Sequence, residues 1–131
     1  PETLCWDIFL APHHVSWSFF NETPYKDEEK GIDNSEPKDT SLEILEYGRE
    51  GAFVVGSSRE VLNGKPNPPH WPAYESYVEK VSKEKFISTY DRHKELKIPV
   101  IFKIGDTVTL LTVDEPSRRS NDKRRYSQRV G

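Results

Sequence analysis

Apolar and polar positions alternate in two stretches near the start of the chain. Trp6, Ile8 and Leu10 alternate with Asp7 and Phe9, and Val15, Trp17 and Phe19 alternate with Ser16 and Ser18. A period of two predicts half-buried strands, with Pro12, His13 and His14 forming the turn between them. Residues 21–40 then hold Asp, Glu and Lys with two prolines and one isoleucine, which predicts a solvated loop. Leu42, Ile44 and Leu45 are compatible with a strand or with one or two helical turns. Residues 52–55 are a brief apolar strand, followed by turn chemistry at Gly56-Ser57-Ser58. Residues 60–62 pair back before the tight-turn dipeptide Asn63-Gly64. Four prolines between residues 65 and 72 demand an extended loop. Residues 74–81, 85–90 and 107–113 read as three further strands, the last entered through Gly105-Asp106.

Short strands joined by turn signals predict a mainly β protein: a small five-stranded barrel of the oligonucleotide-binding (OB) type with an N-terminal extension. The extension covers residues 1–47 (short strands and an acidic loop), and the barrel with a basic C-terminal segment covers residues 48–131. With 131 residues, 34% hydrophobic and 31% charged, there is room for one modest core. Fifteen aromatics support strands.

Net charge is −3, but its distribution is bipolar. Residues 22–50 carry ten acidic groups against Lys26, Lys30, Lys38 and Arg49, a balance of −6. From Glu115 onward the balance is +4, with Arg118, Arg119, Lys123, Arg124, Arg125 and Arg129 against Glu115 and Asp122. Cys5 is the single cysteine, so neither an internal disulfide nor a cysteine-rich zinc site is expected. His13 and His14 are adjacent, and on an extended segment they point to opposite faces, so packing is the expected role of the Cys5, His13 and His14 trio. No apolar run reaches the length of a membrane-spanning helix, and no signal peptide is visible. A chain that starts at Pro1 and lacks methionine fits a mature form whose leader or initiator has been removed. Asn21-Glu22-Thr23 reads as a chance glycosylation triplet.

No phosphate-binding glycine loop, nucleophile elbow or His-Glu-x-x-His motif occurs. Asp91, Arg92 and His93 form a polar run that reads as a solvated turn. The expectation is therefore a protein without catalysis, cofactor or metal. The basic segment is the strongest chemical feature. Arginine meets phosphate bidentately, Ser117, Ser120 and Asn121 add neutral donors, and Tyr126 can stack on a base.

In its second half the chain resembles the family of ribosomal small-subunit protein seventeen. Gly51-Ala52-Phe53-Val54-Val55 resembles that family's opening strand. Trp71-Pro72-Ala73-Tyr74 resembles its His-Pro-x-Tyr turn, with tryptophan in the histidine place. The run from Lys83 through Lys85, Phe86 and Tyr90 to Asp91 resembles a strand closing on aspartate. Ile104-Gly105-Asp106-Thr107-Val108 resembles the next strand, and Pro116-Ser117-Arg118-Arg119 with Lys123-Arg124-Arg125-Tyr126 resembles the basic loop. The match covers residues 48 to 130. It departs at residues 59–69, where a longer strand is replaced, at residues 95–102, an insertion, and over the first 47 residues.

The resemblance implies an OB-type barrel that is a structural constituent of a small ribosomal subunit, in the mitochondrial matrix rather than a plastid or the cytoplasm. It implies rRNA contacts through Ser117, Arg118, Arg119, Lys123, Arg124, Arg125, Tyr126 and Arg129, together with Lys83 and Lys85. Neighbouring ribosomal proteins would meet the acidic extension, with no membrane and no small-molecule substrate. Three rival readings use other features. A Tudor-like or SH3-like peptide module would use Trp71, Tyr74 and Tyr77. An accessory subunit of a membrane complex would meet only protein, and a hydrolase would hold a site without a recognised motif.

Overall fold

The computed structural model describes residues 2–23, 25 and 36–112. The chain divides into two compact units, one running to Val100 and one beginning at Ile101.

The first unit is a mixed α/β structure around a three-stranded parallel sheet. Its strands are β1 (Trp6–Leu10), β2 (Gly48–Gly56) and β3 (Phe86–Ser88), in the spatial order β1-β2-β3. In register, Phe9 faces Val54 and Leu10 faces Val55 across the first pair, while Val54 faces Phe86 and Gly56 faces Ser88 across the second. Residues Ala52 to Val55 are buried on both faces, as the central strand of a parallel sheet must be. That is why this strand reads as an unbroken apolar run and not as an alternation.

Three helices pack around the sheet or follow from it: α1 (Asp39–Glu46), α2 (Trp71–Val81) and α3 (Thr89–Leu96). In α2, Pro72 sits in the first turn, where its missing N–H costs no hydrogen bond. Trp71, Tyr74, Val78 and Val81 recur at helical spacing, and Ala73 and Tyr77 are fully buried. Helix α3 begins where the Ser88 hydroxyl accepts from the Asp91 backbone N–H at 3.2 Å. The core is aromatic. Phe20 meets Tyr77 edge-on at 5.0 Å, Tyr74 meets Phe86 edge-on at 5.0 Å, and Val15, Trp17 and Val54 fill the space around them.

The second unit, over its described residues, is a hairpin of β4 (Phe102–Ile104) and β5 (Val108–Leu110), antiparallel, with Phe102 opposite Leu110. The turn expected at Gly105-Asp106 connects these strands.

The expectation of a mainly β, five-stranded OB-type barrel is overturned. An OB barrel is antiparallel and closes on itself, whereas the larger sheet here is parallel and open, and no closed barrel occurs among the described residues. Three expected strands fail for identifiable reasons. Residues 74–81 lie within helix α2, because a helix places Ala73 and Tyr77, four apart, together in the core with Tyr74 and Val78 packed beside them. Residues 85–90 give a three-residue strand and then turn helical at the Ser88 cap. The alternating run 15–19 folds into a 3-10 turn, Trp17–Phe19, because the Ser16 hydroxyl accepts from the Ser18 N–H at 3.2 Å. Within residues 1–47, Trp6–Leu10 supplies the first strand of the sheet.

A candidate ligand cleft at the carboxyl edge of the parallel sheet

Because β1, β2 and β3 run in the same direction, the segments leaving them emerge at one edge of the sheet. Open sheets with parallel strands bind their ligands in this place. Pro12–His14 follows β1, Ser57-Ser58-Arg59 follows β2, and Thr89-Tyr90 follows β3. Side chains from all three segments line one cavity of about 710 Å³, among them His14, Ser57, Ser58, Arg59, Thr89 and Tyr90. That volume is ample for a small organic ligand.

The loop after β1 has an uncommon backbone. His13, His14 and Val15 are consecutively left-handed, with φ of 49°, 59° and 65°. Each costs about 1–2 kcal/mol for an L residue, and a β-branched valine tolerates the conformation least. Burial and hydrogen bonds hold the loop there. The Val15 side chain is fully buried, its N–H donates to the Pro12 carbonyl, and its carbonyl accepts from the His70 N–H at 3.0 Å. Beneath it, Gly56 leaves the space the valine needs, since a Cβ there would lie 2.9 Å from Val15 Cγ2 and 2.8 Å from Phe86 Cζ. His13 and His14 are thereby left exposed on a fixed backbone, the sort of strained segment that gathers at functional sites.

His14 is further oriented by its ring. Nδ1 lies 2.6 Å from the Ser57 carbonyl oxygen. A carbonyl only accepts, so Nδ1 carries the hydrogen and donates it, leaving the Nε2 lone pair for a ligand. His13 has a looser contact, Nδ1 to Ser18 Oγ at 3.4 Å. His70 is wholly engaged. Its Nδ1 accepts from the Trp17 N–H at 2.9 Å, and its Nε2 donates to the Pro66 carbonyl at 3.1 Å. It is a structural clasp between the loop after β1 and the proline loop.

Of the residues expected to bind rRNA, Lys83 and Lys85 are among the described residues. Ser117, Arg118, Arg119, Lys123, Arg124, Arg125, Tyr126 and Arg129 lie outside the described residues. Lys83 and Lys85 occupy the 3-10 turn leading into β3, at the end of the sheet opposite the cleft, and Lys85 Nζ sits 4.4 Å from the Phe53 ring centre. Asp91, Arg92 and His93 occupy the first turns of α3 rather than a loop. Of the aromatics proposed for a peptide module, Tyr77 is buried in the core and Tyr74 packs on Phe86. Cys5 precedes β1 while His13 and His14 follow it, so the three do not converge. Among the described residues no group of three or more His, Cys, Asp or Glu is arranged to hold a metal ion.

Sequence reasoning missed His14 as a site residue. The clearest local signal is the apolar run of residues 52–55 followed by Gly56-Ser57-Ser58; nothing comparable marks His14, which follows Ala11-Pro12-His13. Compared with known proteins, the chain matches no family model, no curated protein and no solved structure.

Proposed function

We propose that the chain binds a phosphate ester in the cleft at the carboxyl edge of its parallel sheet, and that His14 exchanges a proton with it there. The observation carrying this reading is the 2.6 Å hydrogen bond from His14 Nδ1 to the Ser57 carbonyl. It fixes one tautomer and directs the other nitrogen's lone pair to a ligand, as a general base or acid requires. Imidazole is the side chain whose chemistry lets it both take and give a proton near neutrality. Arg59 supplies a guanidinium suited to a phosphoryl group, and Ser57, Ser58 and Thr89 supply hydroxyls. Among the described residues, none of those lining this part of the cleft is a carboxylate that would repel an anion.

The test is calorimetric titration with ribose 5-phosphate, accompanied by imidazole nitrogen shifts. Binding should weaken at least tenfold in both Arg59→Ala and His14→Ala, and the His14 Nε2 resonance should move on saturation. An unmoved His14 resonance with ligand bound would remove histidine chemistry from the reading.

The small-subunit ribosomal reading entered with an implied OB barrel, and the parallel sheet leaves that resemblance without a structural counterpart. Its remaining support is the +4 balance of the C-terminal segment in the sequence, which suits rRNA or another polyanion. Contact between that segment and a polyanion stands as a second reading, resting on charge alone.

A further inference from the structure

The cleft has a second arm. A cavity of about 560 Å³ shares Arg59, Asn67, Pro68 and Tyr90 with the cavity beside His14, so the two are neighbours. The chemistry changes along it. The first arm is lined by hydroxyls and imidazole, whereas the second is walled by Leu62, Pro66, Pro68, Pro69 and Tyr90. Leu62 and Tyr90 are 43% and 39% exposed, so this arm offers apolar surface to a ligand beside the polar one. Glu60 also lines this arm. Lys65 lines it as well, and the Glu60 carboxylate can accept from N–H donors.

Resting on the phosphate-ester reading above, we infer that the second arm receives a nucleobase stacked on Tyr90, so that the ligand whose phosphate lies beside His14 is a nucleotide. Flat rings with exocyclic amino groups satisfy both halves of the lining: the π face meets tyrosine and prolines, and the amino edge meets Glu60. Lys94 Nζ lies 5.9 Å from the Tyr90 ring centre, so the base takes the ring face that Lys94 does not cover. With Arg59 and Tyr90 lining both arms, the proposed nucleotide reaches from one arm into the other.

The experiment compares adenosine 5′-monophosphate with ribose 5-phosphate by calorimetry on the whole chain. The nucleotide should bind at least tenfold more tightly. Tyr90→Ala and Leu62→Ser, each checked for folding by circular dichroism, should bring the affinity ratio close to one. Equal affinities in the unaltered protein, or a ratio that survives Tyr90→Ala, would overturn the inference while leaving phosphate binding in place. Failure of both probes to bind would remove the phosphate reading and this inference together.

Discussion

The buried imidazole of His70 accepts the backbone N–H of Trp17 at 2.9 Å, and the two residues are far apart in the sequence. Together with its Nε2 bond to Pro66 and its N–H bond to Val15, this contact makes His70 the fastening between two loops that frame the cleft.

Replacing His70 with alanine removes the side-chain acceptor of the buried Trp17 N–H, which costs about 1–3 kcal/mol. His70→Asn should recover part of the loss, because its carbonyl oxygen can stand near the position of Nδ1. Urea unfolding curves should show midpoints in the order unaltered protein, Asn, Ala, with unchanged slopes.

Gly56→Ala should destabilise the fold by about 1–3 kcal/mol, because the added methyl meets both Val15 and Phe86 within the close-packed core. Shortening Val15 to alanine in the same chain should relieve part of that clash. A double-mutant cycle should therefore show a coupling well outside additivity. Purely additive effects would mean that the loop after β1 does not rest on Gly56.

Tyr77 is fully buried, and its hydroxyl has no hydrogen-bond partner among the described residues. Burial pushes its ionisation well above the usual value of 10.0. The folded state therefore holds this proton more tightly than the unfolded state does. Stability from this group is complete below pH 10.0 and is lost as pH rises beyond it. Tyr77→Phe should lessen alkaline unfolding and, by removing an unsatisfied hydroxyl, raise stability near neutrality by about 1 kcal/mol. Thermal melts from pH 7 to 11 provide the measurement.

How far the fold could be read depended on which force set each segment. Strand β1 and the hairpin turn at Gly105-Asp106 were legible, because local alternation and turn chemistry decide them. The tertiary environment decides the rest. Residues 74–81 mix aromatics with Glu and Lys in a pattern that serves a strand or a helix, and only packing of Tyr77 against Phe20 selects the helix. The direction of β2 relative to β1 and β3 has no local signature, since parallel pairing joins segments remote in sequence. The site was hidden for the same reason. His14 and Ser57 look like ordinary turn residues, and Thr89 like part of a strand, until the sheet brings the segments that follow β1, β2 and β3 to one edge.

Such pairing has a kinetic side. Ile8 meets Phe53, and Val54 meets Phe86, across long stretches of intervening chain, so no neighbouring segments can zip together to start the sheet. Assembly must await closure of those stretches, an entropic delay that slows folding relative to hairpin-first topologies. The ring cluster of Phe20, Tyr77 and Phe86 is then the natural gathering point, drawing remote segments together before their backbones align.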